Sequence, residues 1–397
     1  MKLLIAIPAL NEEASIEKII ERSLEARDEI MARSPVTEVE ITVVSDGSTD
    51  RTVELARPFE DRIRLIVFPE NRGYGAAIQE AWRQSDAELV SFLDADGTCE
   101  PRFFADLCQA LEDDGADIAL GNRMNAESKM PALRRLGNHI FAFLLSLFSS
   151  QSVRDTASGM RVLRRACLGR LMPLPDGLHF TPAMSARAIL SDGLTITERD
   201  MPYHEREGRS KLSVTRDGVR FLMVILRTAL LYRPSRPLGL VGVACLVVAT
   251  GLMLPPTFHY VQHGAVEEWM IYRFVVSDLA GTVGVLLLSA AYLAKKIVWL
   301  TLAGRATRDH RTPLERLFGW RYFWWIPGLC VVAASVLVLP SFVQRVATGA
   351  TYEHWSRYIA MSFLLSVASI LAVTRAVDFC FGLIADRMDY LDQSLDS

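Results

Sequence analysis

Beyond Pro237 the sequence holds four long apolar runs, 238–254, 274–294, 322–344 and 358–374, and the only charge inside any of them is Asp278. A bilayer core of about 30 Å asks for about 20 apolar residues per helix, so the two middle runs are long enough and the outer two sit near the lower limit. Trp299, Trp324, Trp325, Trp355 and Tyr358 lie at or near their ends, where amphipathic rings favour the headgroup region. Buried helices of a soluble domain are the competing reading, but four runs in succession with aromatic ends predict membrane spans.

The loops predict an orientation. Arg206, Arg209, Lys211, Arg216, Arg220, Arg227, Arg233 and Arg236 precede the first run, and Lys295, Lys296, Arg305, Arg308, Arg311, Arg316 and Arg321 lie between the second and third. The alternate loops carry only Arg273, and Arg345 with Arg357. The positive-inside rule then places the N-terminal domain, the middle loop and the C-terminus in the cytoplasm. These cations suit anionic lipid headgroups, and no nucleic acid is needed to explain them. The opening "LLIAIPAL" is too short for a secretory signal, runs into Asn11, Glu12 and Glu13, and reads as a strand. Cys99, Cys108, Cys167, Cys245, Cys330 and Cys380 show no paired spacing, which predicts reduced structural thiols and no zinc site.

From Lys2 to Gly121 short apolar runs alternate with helix-length segments: "LLIAIP", "VEITVVS", "IRLIVF", "AELVSFL" and "ADIALG". That alternation predicts βαβ units and a mostly parallel sheet, whose ligands sit at the carboxyl ends of the strands. The polar residues at those ends are Asn11 and Glu12, Asp46 to Asp50, Glu70 to Gly75, and Asp94-Ala95-Asp96-Gly97. An Asp-x-Asp alone is an ordinary turn. After a buried strand, however, Asp94 and Asp96 can hold a divalent cation against a phosphorylated ligand, since Mg²⁺ takes one or two carboxylates and completes its shell with water and phosphate oxygens. Neither a P-loop nor a dinucleotide glycine signature is present, so a nucleotide must be held by side chains and a metal.

"PALNEE", "VVSDGSTDRT", "NRGYGAA", "LDADG", "GNR", "DTASGMRV" and "EGRSKL" follow one another in the order and rough spacing of family 2 glycosyltransferases with the GT-A fold. Over residues 1–215 the chain resembles the dolichyl- or polyprenyl-phosphate sugar transferases. The resemblance implies a nucleotide-sugar donor whose base and ribose meet Pro8, Leu10, Glu12, Val44 and Asp46, with Asn71 nearby. It implies Mg²⁺ or Mn²⁺ on Asp94 and Asp96, with Ala95 between them, and inversion at the sugar. Thr98 departs from the Gln that many members carry two residues after the second Asp, so a shorter ligand or a water takes that place. Asp155 occupies the position of the catalytic base in hydroxyl-acceptor members. If the acceptor is a phosphate, an orienting role is the alternative. Arg206 and Lys211 are assigned to a loop that closes on the donor diphosphate.

A lipid phosphate acceptor fits the segments between sheet and spans. Pro131 opens a helix that carries Arg134 and runs on through "IFAFLLSLF"; a helix N-terminus with arginines suits an anion, though a core helix with surface arginines has the same pattern. Residues 216–236 read as an amphipathic helix lying along the membrane, with Arg216, Arg220 and Arg227 on one face. A phosphate monoester is largely dianionic at neutral pH and needs cations more than a base. Arg123, Arg134 and Arg209 are the candidates. The expected architecture is therefore a cytoplasmic α/β GT-A domain over 1–215, an interfacial helix over 216–236 and an all-α four-span domain over 237–397, in a bacterial or archaeal plasma membrane. A homo-oligomer stays open. Two other readings compete: transfer to a sugar hydroxyl in polysaccharide or glycolipid synthesis, although no Q-x-x-R-W is present, and a membrane scaffold with a decayed transferase domain.

Overall fold

A computed structural model describes residues 1–125, 128–149, 151, 153–191, 193–203, 214–301, 313–320, 322–349 and 354–395. They form two compact units, Met1–Tyr232 and Arg233–Ser397.

The first unit is built on a seven-stranded sheet among the described residues: β1 (Lys2–Ala9), β2 (Glu38–Asp46), β3 (Arg64–Phe68), β4 (Leu89–Leu93), β5 (Ile118–Asn122), β6 (Met160–Arg164) and β7 (Ile196–Asp200), in the order β3-β2-β1-β4-β6-β5-β7. All neighbours are parallel except β6, which runs antiparallel to β4 and to β5. The helices are α1 (Ile16–Arg33), α2 (Thr52–Ala56), α3 (Tyr74–Arg83), α4 (Phe104–Asp113), α5 (Ala132–Phe148), α6 (Leu168–Leu171), α7 (Phe180–Leu190) and α8 (Val214–Tyr232).

A central strand covered on both faces is apolar throughout, and its two-residue period splits the side chains between two layers. In β1, Leu3, Ile5 and Ile7 pack with Ile16, Ile19 and Ile20 of α1 and Phe104 and Leu107 of α4. Leu4 and Ala6 face the other layer, with Ile78 and Trp82 of α3 and Phe180 and Met184 of α7. The sheet thereby presents the ends of β1, β2 and β4 along one edge, because all three run parallel.

The segment expected as an interfacial helix over 216–236 packs into this unit as far as Tyr232. Ile225 and Ala229 of α8 are buried with Leu145 and Phe148 of α5 and Ile189 and Leu190 of α7. The rings of Phe141 and Phe221 meet at 5.9 Å. Both helices keep large apolar side chains outside: Leu133, Leu136, Ile140 and Phe143 on α5, and Val219, Leu222 and Leu231 on α8.

The second unit contains α9 (Ser235–His263), α10 (Ile271–Thr301), α11 (Pro313–Phe318), α12 (Trp325–Thr348) and α13 (Trp355–Leu395). Four of its helical segments are long and apolar enough to cross a membrane. Apolar side chains such as Leu279, Leu329 and Phe342 point outward, as a lipid solvent allows. The helices outrun the apolar stretches read from the sequence. α9 continues through Pro255 and Pro256. α13 continues past Thr374 because Asp378 is neutralised in place: Lys296 and Arg375 approach its carboxylate at 2.5 and 2.7 Å, and the Tyr292 hydroxyl donates to it at 2.6 Å.

Candidate active site

The polar residues at the strand ends are tied to each other before any ligand is considered. The loop after β1 is stitched to the loop after β2: the Asn11 amide donates to Ser48 Oγ at 3.1 Å, the Glu12 amide to Thr52 Oγ1 at 2.8 Å, and Thr49 donates its amide to Asn11 Oδ1 at 2.8 Å. Asp46, at the end of β2, accepts the amides of Arg72 and Gly73 at 2.6 and 2.9 Å. The same loop is gripped from the other side, where the Asp176 carbonyl accepts from Gly75 at 2.6 Å and Ala76 at 3.1 Å. Gly73 must be glycine: its φ is +111°, and a Cβ there would stand 2.4 Å from that carbonyl oxygen.

Asp94 and Asp96 leave β4 on this edge. The Tyr74 hydroxyl donates to Asp94 Oδ1 at 2.6 Å. Burial first, and the neighbouring Asp94 second, hold the Tyr74 phenol well above its ordinary pKa, so it remains a donor at neutral pH. A Cβ on Gly159 would lie 2.0 Å from Asp94 Oδ2, so the carboxylate rests directly on backbone. Asp96 Oδ1 accepts from Thr98 Oγ1 at 2.6 Å and from the Thr98 amide at 3.2 Å. Thr98 is 1% exposed, and its hydroxyl is directed at Asp96. The adjacent Cys99 thiol is pushed up to about 12, by burial and then by Asp94, and is inert as a nucleophile.

At the end of β5, Arg123 forms a two-pronged pair with Asp155. Its Nε and Nη2 donate at 2.7 and 3.0 Å, and its amide adds a third bond at 3.0 Å. Asn138 Nδ2 and the Ala157 amide bring the Asp155 carboxylate to five hydrogen bonds. Burial alone would raise the pKa of Asp155; the Arg123 guanidinium overrides it and holds the group below the usual carboxylate range. Asp155 is 0% exposed. Of the two roles expected for Asp155, a base or an orienting residue, these contacts match the second, since the carboxylate holds the Arg123 guanidinium and its amide. The guanidinium also lies 5.4 Å from the Tyr203 ring centroid.

Two cavities open here. One, of about 400 Å³, brings together the sequence candidates Pro8, Leu10, Glu12, Asp46, Asn71, Asp94, Ala95 and Asp96, and is lined also by Arg123 and Arg134. Val44 is absent from this lining because it is fully buried in the core with Leu4 and Phe92. The other cavity, of about 160 Å³, lies between α5 and α8 and is lined largely by apolar groups, among them Met130, Leu133, Phe141 and Phe221. Arg123, Arg134 and Tyr203 line both. Arg206, Arg209 and Lys211 lie outside the described residues. Tyr74, Tyr203 and Arg220 line the first cavity without having been expected there. Of these, the spacing of Arg220 with Arg216 and Arg227 was a usable signal, whereas a lone Tyr in a glycine-rich turn was not.

Among the described residues no group of three or more His, Cys, Asp or Glu side chains could hold a metal ion. The donors at this edge are two carboxylates, each with one oxygen oriented by a hydroxyl. Such an all-oxygen pair fits a hard divalent cation that takes its remaining ligands from phosphate and water.

Residues 4–171 match the sequence pattern of glycosyl transferase family 2. The low-salt glycan biosynthesis hexosyltransferase Agl6 of Haloferax volcanii is 32% identical over 254 residues, 62% of this chain and 59% of that protein. A dolichyl-phosphate hexose transferase of the same organism is 31% identical over 237 residues, 57% of this chain and 94% of that protein. An undecaprenyl-phosphate 4-deoxy-4-formamido-L-arabinose transferase of Photorhabdus laumondii is 28% identical, over 64% of this chain and 74% of that protein. The match thus spans less than two thirds of Agl6 and nearly all of the second relative. Among solved structures, glucosyl-3-phosphoglycerate synthase from Mycobacterium tuberculosis with Mn²⁺ and UDP superposes with a TM-score of 0.44 at 20% identity, over 57% of this chain and 80% of that one. The chain belongs to glycosyl transferase family 2.

Proposed function

We propose that this chain is a membrane-bound hexosyltransferase that moves a sugar from a nucleoside-diphosphate sugar to the phosphate of a polyprenyl lipid. The observation that carries the reading is the sharing of Arg123 and Arg134 by the two cavities. A phosphate held by these cations would face a donor on its polar side while its chain enters the apolar cavity. The names of the Haloferax and Photorhabdus relatives support the same acceptor class.

The chemistry then needs little from the protein beyond placement. The acceptor phosphate is largely dianionic at neutral pH. One of its oxygens attacks the anomeric carbon from the face opposite the leaving group, a C–O bond forms, and the bond to the nucleoside diphosphate breaks with inversion. Arg123 and Arg134 bring this anion up to an anionic donor, and Asp155 fixes the fork of Arg123. Asp94 and Asp96 would hold Mg²⁺ or Mn²⁺, which when bound supplies neutralising charge to the departing diphosphate. Pro8, Leu10, Glu12, Asp46 and Asn71 surround the nucleoside, and Arg206, Arg209 and Lys211 add cations from the following segment. By the positive-inside rule the site faces the cytoplasm, in a bacterial or archaeal plasma membrane.

A sugar hydroxyl as acceptor is the second reading. It would require a general base at the cavity, and the buried Asp155 is not placed to serve. Purified full-length protein with UDP- and GDP-sugars, Mg²⁺ or Mn²⁺ and a polyprenyl phosphate should transfer label into the lipid phase. Label passing only to a glycan hydroxyl would replace this reading by the second.

A further inference from the structure

Tyr74 lies where two parts of the site meet. Its hydroxyl is 2.6 Å from Asp94 Oδ1, while the opposite oxygen of that carboxylate is backed by Gly159. Its ring is held edge-on by Phe92 and Phe180, at 6.4 and 6.3 Å between centroids. The carboxylate is thus pinned on two sides. A phenol that donates to one oxygen leaves that oxygen further lone pairs for other partners, since an ionised carboxylate has about four acceptor sites. On the chain side, Tyr74 directly follows Arg72 and Gly73, whose amides are the two donors to Asp46. Residues 72–74 therefore join a carboxylate in the nucleoside part of the cavity to one in the cation part.

We propose that Tyr74 is a positioning residue that orients Asp94 for a divalent cation and, through this three-residue connection, couples cation binding to nucleotide binding. The proposal rests on the cation reading given above. Packing between Phe92 and Phe180 needs only a ring, so the hydroxyl is the part with a role in binding. Coupling of this kind is reciprocal: a nucleotide that settles the loop tightens the cation site by the factor with which the cation tightens nucleotide binding.

The test uses Tyr74→Phe, which keeps the ring, in full-length protein reconstituted in nanodiscs. Mn²⁺ affinity is read by electron paramagnetic resonance, and UDP and GDP affinities by calorimetry, in EDTA and with Mn²⁺. Loss of a group that orients a metal ligand typically weakens the metal by about 10–100-fold. The expected result is a loss of about tenfold in Mn²⁺ affinity, unchanged nucleotide affinity in EDTA, and a smaller gain in nucleotide affinity when Mn²⁺ is added. Equal Mn²⁺ affinity in wild type and Tyr74→Phe would overturn the proposal and leave the cation reading intact. A wild-type protein that binds no Mn²⁺ and transfers sugar in EDTA would overturn both.

Discussion

Arg123 and Asp155 form a closed pair in which the guanidinium borders the cavities and the carboxylate is fully buried. Arg123 is held in one orientation by a partner that cannot itself meet a ligand, so changes at the two positions should fail differently.

Asp155→Asn removes the negative charge and leaves Arg123 uncompensated. Breaking a buried ion pair from one side costs about 3–5 kcal/mol. Thermal unfolding of the purified protein should therefore fall markedly, and activity should fall with it. The folded pKa of Asp155 lies below its unfolded value, so its contribution is fully present above about pH 3.9 and is lost as pH falls through the depressed folded value. Unfolding midpoints of wild type and Asp155→Asn should differ by a constant amount from pH 8 to 5 and converge only below about pH 3.9. A gap that closes near neutral pH would show that a different group is responsible.

Arg134→Ala should act on the acceptor alone. A charge-assisted hydrogen bond contributes roughly 1.5–3 kcal/mol, or about one to two decades of affinity. The expected outcome is a rise of about 10–100-fold in acceptor KM with donor affinity little changed. A large loss of donor affinity with unchanged acceptor KM would move Arg134 to the diphosphate.

Gly159→Ala tests the pair of carboxylates by geometry. Its added methyl would collide with Asp94 Oδ2, whereas Asp96→Asn keeps the shape and removes a charge. Both should lower transfer by about two orders of magnitude or more, the scale seen when one preorganised electrostatic group is lost. Near-normal turnover in Asp96→Asn would remove the argument for a cation.

Topology can be read by labelling. On a background without native thiols, Glu267→Cys should react with an impermeant reagent added outside intact cells, and Thr307→Cys should not. The reverse pattern would invert the proposed orientation.

The sheet was legible as far as β5 because each strand is a buried apolar run with its polar residues at one end. β6 and β7 were not, since "MRVLR" and "ITERD" interleave charges. In β6 the inner charge is Arg161, 1% exposed and held by the carbonyls of Thr156 and Ser158, and Arg164 closes the strand. The cavity residues Glu12, Asp46, Asn71, Asp94 and Asp96 were legible from their place at strand ends, but Val44 was not separable from Asp46: two residues apart, they share one face of β2, and only depth divides them, Val44 covered by the core and Asp46 at the strand's end. The pairing of Asp155 was not legible: its partner Arg123 stands 32 positions earlier, and no local pattern shows it. The full helix lengths were not legible because hydropathy ends at Arg375, whereas a helix continues wherever its charges find one another, as Asp378 does with Lys296 and Arg375.

The outward apolar faces of α5 and α8 belong to the unit that carries the cavities, so an enzyme cut free of its four spans would keep an oily side. Its encounters with the proposed acceptor would then be events in two dimensions. The quantity that sets the rate would be acceptor molecules per unit of bilayer area. At constant bulk acceptor, diluting the membrane with inert lipid should slow the reaction as if substrate had been withdrawn.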